Sequence, residues 1–283
     1  MRSRISISLL VALFIILTIL LVVSFSFAHI EENGNKFFDI KLKNSAFYII
    51  IMSSIISGFF ILLSIFFSKT KPRIFKKRSG VLFLTIAIPI SLASLFLLGS
   101  TIYLDLVSET KGPVHWHADF EIWNCQEKLE LIDPETLANR VGTSLLHEHN
   151  DNRIHIEGVL LKRSQADLHS FFDVVGGSIT EDSLTILSNQ GFVKVKNSDL
   201  CNGKKGRLQV FVYRITNPDS NKKAGFLYKQ IKLENFTDHI VSPYTSVPPG
   251  DCIIIEFDEE KEKTDKLCLS YEIAIQKGEL KER

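Results

Sequence analysis

AFYIIIMSSIISGFFILLSIFF, residues 46–67, is a stretch in which no side chain carries a charge. Residues 5–28 and residues 81–104 share that property. Since a helix rises about 1.5 Å per residue, roughly 20 such residues cross the ~30 Å hydrocarbon core of a bilayer. A helix on the surface of a soluble domain would instead carry charged residues on its outer face. The sequence therefore predicts three transmembrane helices, which form an N-terminal membrane anchor over residues 1–104.

The charged residues around these stretches predict how the anchor is oriented. Arg2 and Arg4 precede the first stretch. The loop after the second stretch has no acidic residue and contains a basic cluster, namely Lys69, Lys71, Arg73, Lys76, Lys77 and Arg78. Because Lys and Arg accumulate on the cytoplasmic side, we expect the N-terminus and the basic cluster in the cytoplasm. Three crossings would then place the chain after residue 104 outside a cell membrane that it spans several times.

The end of the first stretch leaves an alternative open. Ser26 and Ala28 loosely resemble a signal-peptidase site, and cleavage there would make His29 the mature N-terminus. The apolar stretch is longer than the apolar region of an ordinary signal peptide, and this favours a retained anchor.

The charges are divided unevenly between the anchor and the rest of the chain. Lys and Arg outnumber Asp and Glu by 11 to 3 in residues 1–104, whereas 29 acidic residues face 22 basic ones afterwards, close to −7. An acidic extracytoplasmic domain is not expected to bind nucleic acid. The basic cluster is expected to lie against anionic lipid, so the expected partner is the lipid bilayer. Another membrane protein is the second candidate partner.

Residues 105–112 form a short polar connector, and residues 113–283 are expected to form one extracytoplasmic soluble domain. Strict alternation of apolar and polar residues predicts a strand over Val114–Trp123, and Leu145–Leu161 is typical of a hairpin. The further expected elements are a helix opening at Asp133-Pro134-Glu135, a helix over 165–175 capped by Ser164, and strands over 191–195, 208–215, 229–233, 252–257 and 267–275. The predicted fold class is α+β, built mainly on an antiparallel sheet.

All the cysteines lie in the soluble domain, and their even number outside the cytoplasm predicts disulfides. Four cysteines allow three pairings. Cys252 and Cys268 flank a charged loop between two strand-like runs, so we expect them to face each other across a hairpin. Cys125 would then pair with Cys201.

Five of the 8 histidines fall close together in the first part of the soluble domain: His115, His117, His147, His149 and His155. They include two His-x-His pairs. Residues two apart in a strand share a face, so each pair is expected to present both imidazoles in one direction. These residues are candidate metal ligands.

The predicted hairpin sharpens this expectation. If Asn150, Asp151 and Asn152 form a three-residue turn, His147 lies opposite His155. Opposed side chains have Cβ atoms ~5 Å apart, which lets two imidazoles reach one metal ion at ~2.0 Å each. Glu157 follows on the same face, either as a ligand or as a group that orients an imidazole.

A set of ligands rich in imidazole and free of thiolate suits transition metals and is poor for Ca²⁺ or Mg²⁺. The expected cofactor is a transition metal ion, Cu or Zn. Five histidines exceed what one ion takes from a protein, so some orient ligands or two ions bind. The alternative is that these histidines are only polar surface residues, or sense pH.

Three segments carry a further signal: His115-Trp-His117-Ala-Asp-Phe-Glu-Ile, Leu146-His-Glu-His149-Asn-Asp-Asn-Arg-Ile-His155-Ile-Glu157, and Leu168-His-Ser-Phe-Phe-Asp173. Together they resemble an uncharacterised family of membrane-anchored extracytoplasmic proteins of archaea and bacteria. The resemblance covers roughly residues 113–175 and implies that these segments form one unit. It implies no activity.

Three hypotheses of function follow. The first is a membrane-anchored extracytoplasmic metal-binding protein that serves metal handling or the assembly of a partner. The second is a metal-dependent extracytoplasmic enzyme, such as a Zn hydrolase, in which three histidines hold Zn and Glu121 or Glu157 acts as general base. The third is a structural ectodomain of a membrane complex, favoured if the histidines scatter over different faces.

Overall fold

A computed structural model of the chain describes residues 35–135, 139–189, 191–220, 224–241 and 250–283. The chain divides into two compact units, Met1–Leu106 and Val107–Arg283. Within the described residues, the first unit contains only helix, and all the strands belong to the second unit.

Two long helices make up the described part of the first unit, α1 (Asn35–Thr70) and α2 (Pro72–Val107), and only Lys71 separates them. The segments Asn44–Thr70 and Pro72–Val107 are long and apolar enough to cross a membrane. Only 17% and 11% of the most apolar windows of these segments are buried by the described protein. A core helix of a soluble domain would be mostly buried. The exposed apolar surfaces of these helices are therefore typical of helices that contact the hydrocarbon of a bilayer.

The predicted fold class is wrong in the number of spans and in the type of sheet. The described residues contain two candidate membrane-spanning helices and not three, and the predicted first span, residues 5–28, lies outside the described residues. The second unit has parallel as well as antiparallel strand pairs. Alternation along a strand indicates which face a side chain takes, but it carries no information on the direction of the neighbouring strand.

The second unit is built on one large mixed sheet and two small ones. Its strands, in chain order, are β1 (Pro113–Asn124), β2 (Glu127–Leu129), β3 (Val141–Gly142), β4 (Leu146–Glu148), β5 (Arg153–Val159), β6 (Ser178–Thr180), β7 (Ser183–Ser188), β8 (Gly191–Lys196), β9 (Leu200–Cys201), β10 (Lys204–Lys205), β11 (Arg207–Ile215), β12 (Phe226–Leu233), β13 (Asp251–Asp258) and β14 (Leu280–Glu282). The large sheet has the order β14-β12-β11-β13-β1-β5-β4-β3, with β2 paired to β1. The β1–β13 and β12–β14 pairs are parallel. Strands β6-β7-β8 and β9-β10 form the two small sheets.

Two hydrophobic cores lie on opposite faces of the large sheet. The first core contains residues of β1, β4, β5, β11 and β13, packed with helix α3 (Leu168–Val174) and with β7. The second core contains the other faces of β11, β12 and β13, packed with helix α4 (Leu269–Gln276). On this second face, the area formed by β1, β5 and β4 lies beside the second core and carries polar side chains, including the histidines.

Several predicted elements differ from the structure. The strand predicted over residues 267–275 is wrong, because Leu269–Gln276 form α4. The buried side chains there are Cys268, Tyr271 and Ala274, which have helical spacing. The helix expected over 165–175 is split into a 3₁₀ turn, Arg163–Ala166, and α3, which Asp167 caps in place of Ser164. The helix expected after Asp133 is absent from the described part of that segment, and residues 136–138 lie outside the described residues.

Both predicted disulfides are confirmed. Cys125 pairs with Cys201, and Cys252 pairs with Cys268, with Cα atoms 5.4 and 5.8 Å apart. The expected hairpin between the second pair is wrong, because Cys252 lies in β13 while Cys268 is the N-cap residue of α4. This disulfide therefore joins α4 to the large sheet.

Candidate metal centre

Three neighbouring strands of the large sheet bring the candidate ligands together. His117 of β1 lies opposite His155 of β5, which in turn lies opposite His147 of β4. His115 lies opposite Glu157 on the same pair of strands. Because opposed side chains on one face have Cβ atoms ~5 Å apart, the imidazoles of the three strands form a row across the sheet.

The packing of the apolar residues determines which face the histidines take. Trp116, Leu146, Ile154 and Ile156 are all buried in the first core. Residues alternate between the two faces of a strand, so the intervening histidines face away from that core. The predicted register of the hairpin, with His147 opposite His155, is confirmed.

The turn of the hairpin supports this register. Asn150 and Asn152 adopt positive φ angles of 63° and 55°, which asparagine tolerates better than most residues. The backbone N–H of Asp151 donates a 2.8 Å hydrogen bond to Oε1 of the buried Glu148. Glu148 alternates with His147 and His149 along the chain, so its side chain lies on the opposite face of the strand and stabilises the turn through this hydrogen bond.

Three histidines form a first group, which we call the inner triad: His147, His149 and His155. One ligand atom from each lies within 4.8 Å of the other two. The ring centroids are 4.7 Å apart for His147 and His149, 4.8 Å for His149 and His155, and 5.4 Å for His147 and His155. These separations let three imidazoles converge on one ion.

Two members of the inner triad are oriented by neighbouring oxygen atoms. Nδ1 of His149 is hydrogen-bonded to the backbone carbonyl of Asn139, and Nε2 of His155 lies 3.2 Å from Oδ2 of Asp151. A carbonyl or a carboxylate oxygen accepts a hydrogen bond from a ring N–H, so the other nitrogen of each neutral ring keeps its lone pair for a cation. This arrangement is common around metal-binding histidines.

His147 carries the most informative atom of the inner triad. Its residue is only 2% exposed, and its Nδ1 is buried without a hydrogen-bond partner among the described residues. Buried polar atoms are nearly always satisfied, and leaving one unsatisfied costs about 1–3 kcal/mol. A cation bound to Nδ1 would give this atom the partner that it lacks among the described residues.

A second group, which we call the outer triad, consists of His115, His117 and Glu157. Its ligand atoms also lie within 4.8 Å of one another. Nε2 of His115 is 3.1 Å from Oε1 of Glu157, and the rings of His115 and His117 are 4.5 Å apart. The two triads meet where the ring of His117 contacts that of His155, at 4.7 Å.

The electrostatic surroundings favour neutral imidazoles. Burial, followed by the neighbouring His149 and His155, lowers the pKa of His147 from 6.5 to about 4. Burial, followed by His155 and His115, also lowers the pKa of His117. The neutral imidazole is the form that binds a metal ion, so neither ring has to lose a proton near neutral pH.

An ion pair beside the triads connects three elements. Nε of Arg153 in β5 lies 2.6 Å from Oδ1 of Asp119 in β1, and the hydroxyl of Ser270 in α4 donates to the other carboxylate oxygen of Asp119. Arg153 follows the turn that presents His149 and His155. The ion pair therefore ties the hairpin to β1 and to α4.

The structure brings together all the candidate metal ligands named from the sequence, in two adjacent groups: His115, His117 and Glu157 in one, and His147, His149 and His155 in the other. Glu121, a candidate general base, belongs to neither group. Its carboxylate accepts hydrogen bonds from Lys128 at 2.8 Å and from the indole of Trp123 at 2.9 Å.

Sequence reasoning missed the groups that orient the ligands. Asp151 was identified only as a turn residue, although its position four residues before His155 in a hairpin allows the contact. Asn139 lies ten residues before His149 and contributes a backbone carbonyl. Because every residue has a backbone carbonyl, the residue type at this position does not indicate the contact.

The fold and the site together define a class: a chain with two helices apolar enough to span a membrane and a disulfide-containing domain whose mixed sheet presents histidine groups that could bind a metal ion. Comparisons with protein-family models, with curated proteins and with solved structures find no match.

Proposed function

We propose that this protein is a membrane-anchored extracytoplasmic metal-binding protein that holds Cu or Zn in its inner triad. The observation that carries the proposal is the convergence of three imidazoles, whose ligand atoms lie within 4.8 Å of one another. One of them, His147, is buried, and its Nδ1 has no hydrogen-bond partner among the residues that the structure describes. Three histidines without thiolate suit Cu²⁺ or Zn²⁺, and water or a further ligand would complete the coordination.

The extracytoplasmic location is supported by two independent features. The basic cluster lies where α1 ends and α2 begins, and Lys and Arg at such a turn favour the cytoplasmic side. A helical hairpin with its turn inside the cell delivers the second unit to the outside. Both cysteine pairs are disulfide-bonded, as is usual in oxidising compartments.

The geometry favours holding a metal ion over a purely structural role for the histidines. Histidines that served only as polar surface would be solvated and scattered, whereas these form two triads on a single face. The contacts of His149 with Asn139 and of His155 with Asp151 orient rings that solvent alone would leave free to rotate. The lipid bilayer remains the proposed partner of the helices.

Metal titration of the full-length protein tests the proposal. The protein is purified in a mild detergent, stripped with a chelator and titrated with Zn²⁺ or Cu²⁺ against a chromophoric competitor. We expect at least one tightly bound ion per chain, and His147→Ala should weaken its affinity by at least ~10-fold, since one of three protein ligands is lost. His169→Ala, in α3 and outside both triads, is the matched control and should leave affinity unchanged. Failure of the wild-type protein to bind either ion would overturn the proposal.

A further inference from the structure

Solvent exposure of the candidate ligands decreases from the outer triad to the inner triad. The side chains of His115 and Glu157 in the outer triad are 65% and 45% exposed. In the inner triad, the side chain of His155 is 13% exposed, and His147 is 2% exposed as a residue. The row of side chains therefore runs from solvent to the interior of the domain.

The steps along this row are short. Ring centroids are 4.5 Å apart between His115 and His117, 4.7 Å between His117 and His155, and 5.4 Å between His155 and His147. His155 contacts His117 of the outer triad and both other members of the inner triad. An ion held by His117 therefore lies close to His155, whose ring contacts that of His117.

The two triads also differ in chemistry. The inner triad supplies three imidazoles, of which His147 is buried and the other two are half-buried. The outer triad supplies two imidazoles and the carboxylate of Glu157, and its His115 and Glu157 are exposed to water while His117 is half-buried. Carboxylates and imidazoles are both ligands of divalent transition metals, but exposed side chains lose rotamer freedom when they bind, so the outer triad should bind more weakly.

We propose that the outer triad is a second, weaker metal site through which divalent ions enter and leave the inner triad. This inference rests on the proposed function of the inner triad. An ion moves inward by exchange of ligands: His155 binds as Glu157 and His115 release, and His117 releases as His147 and His149 bind. The ion keeps its charge, no electron is transferred, and Glu157 returns to its contact with His115.

Binding of a second ion should be less favourable than binding of the first, because two dications side by side repel each other. The second ion is therefore expected to bind more weakly than the first and to exchange faster. Such a pair of sites suits a protein that receives metal from solution or from a carrier and holds it in a protected position.

Stoichiometry and exchange rates of full-length protein in detergent test the inference, with Zn²⁺ as the probe. We expect two ions per wild-type chain, with the second at least ~10-fold weaker, because the outer ligands are exposed. Glu157→Gln, which keeps the size of the side chain, should remove the second ion and leave the affinity for the first within about twofold. The same variant, loaded with one ion, should surrender it to excess chelator at least ~5-fold more slowly than wild type, since exchange loses its exposed ligand. His115→Ala should behave in the same way, whereas Glu127→Gln, an exposed control on β2, should change nothing.

The outcomes separate the two proposals. Absence of any bound Zn²⁺ in the wild-type protein would overturn the proposed function and this inference with it. One ion per wild-type chain would overturn the second site while leaving the proposed function intact. Two ions in both outer-triad variants would show that the weaker ion lies elsewhere, and unchanged release rates in both would overturn the exchange route.

Discussion

His147 is the most buried histidine of the two triads, and its Nδ1, which has no hydrogen-bond partner in the described part of the chain, costs the folded state about 1–3 kcal/mol. A ligand that binds only the native protein raises its free energy of unfolding by RT ln(1 + [L]/Kd). This increase is about 2.7 kcal/mol when the ligand concentration is a hundred times Kd. Metal binding at this residue would therefore raise the free energy of unfolding of the second unit as well as fill a site.

A partly buried histidine outside the triads, His239, allows a pH prediction that is independent of metal. His239 lies 3.4 Å from a guanidinium nitrogen of Arg214, which also forms an ion pair with the buried Asp251. Burial, and then the charge of Arg214, lowers the pKa of His239 from 6.5 to about 4. The folded state thus binds fewer protons than the unfolded state between these values. The contribution of His239 to stability is complete above pH 6.5 and is lost as the pH falls toward 4.

We expect His239→Gln to reduce the loss of stability that occurs between pH 7 and pH 5. The difference should be about 1–2 kcal/mol, since one pKa unit corresponds to 1.36 kcal/mol and only the unfolded state titrates in most of this interval. Urea unfolding followed by tryptophan fluorescence measures it, because both tryptophans, Trp116 and Trp123, lie in the second unit. Equal pH dependence in the variant and the wild-type protein would contradict the assignment.

At the scale of elements, the site depends on how β1, the hairpin and α4 are held together. The hairpin is short, and isolated two-stranded hairpins are only marginally stable in water. Its attachment to β1 through the Asp119–Arg153 ion pair, and that of β1 to α4 through Ser270, supply contacts that the hairpin lacks alone. The disulfide between Cys252 and Cys268 holds the start of α4 against the sheet.

Asp119→Asn should therefore lower both stability and metal affinity. The change leaves Arg153 without its charged partner, and we expect a loss of about 1 kcal/mol, since a third of the Arg153 side chain is open to solvent and screening reduces the effect. Zn²⁺ affinity should fall a few-fold, because an unpaired guanidinium beside His117 repels a dication.

Urea unfolding and the competition titration measure these two effects. Arg207→Gln breaks an ion pair with Glu260 in which both side chains are more than half exposed, so it should change neither quantity. Wild-type stability and wild-type affinity in Asp119→Asn would show that the ion pair does not support the hairpin.

At the scale of the whole molecule, the proposed topology depends on the basic cluster where α1 ends and α2 begins, because Lys and Arg would hold that turn on the cytoplasmic side. Replacing Lys76, Lys77 and Arg78 by glutamine should increase the fraction of chains with the opposite orientation. Protease added to intact cells measures this fraction, because it digests only a second unit that faces outward. Lys41→Gln with Lys43→Gln, at the other end of α1, is the matched control and should not reduce outward orientation. Protection of the wild-type second unit would contradict the proposed sidedness.

Much of the histidine site could be predicted because it depends on local rules. Side chains two apart share a face of a strand, and a turn of the type Asn-Asp-Asn sets the pairing of the strands that flank it. Those two rules were enough to place His147 opposite His155. The apolar Leu146, Ile154 and Ile156, which are buried in the first core, indicated that the histidines lie on the opposite face of the sheet.

The association of the two His-x-His segments depended on the tertiary structure. Sequence alternation does not reveal that β1 lies between β13 and β5, nor that β13 runs parallel to β1, because those pairings are long-range. The helix α4 was mistaken for a strand since its short apolar run fits both periods, and only packing against Tyr213 and Tyr228 selects the helical one.

The sequence by itself determined the two described apolar helices and the shared face of the histidines, since each follows from composition or from spacing along the chain. The cysteine pairing was predicted correctly but for a wrong reason, because Cys268 caps α4 and does not lie across a hairpin from Cys252. Only the tertiary structure decided that the candidate ligands divide into two triads, one containing the buried His147 and one containing the exposed His115 and Glu157, that touch through His117 and His155. Burial and the distance between strands depend on which elements pack together, and residues far apart in the chain determine that packing.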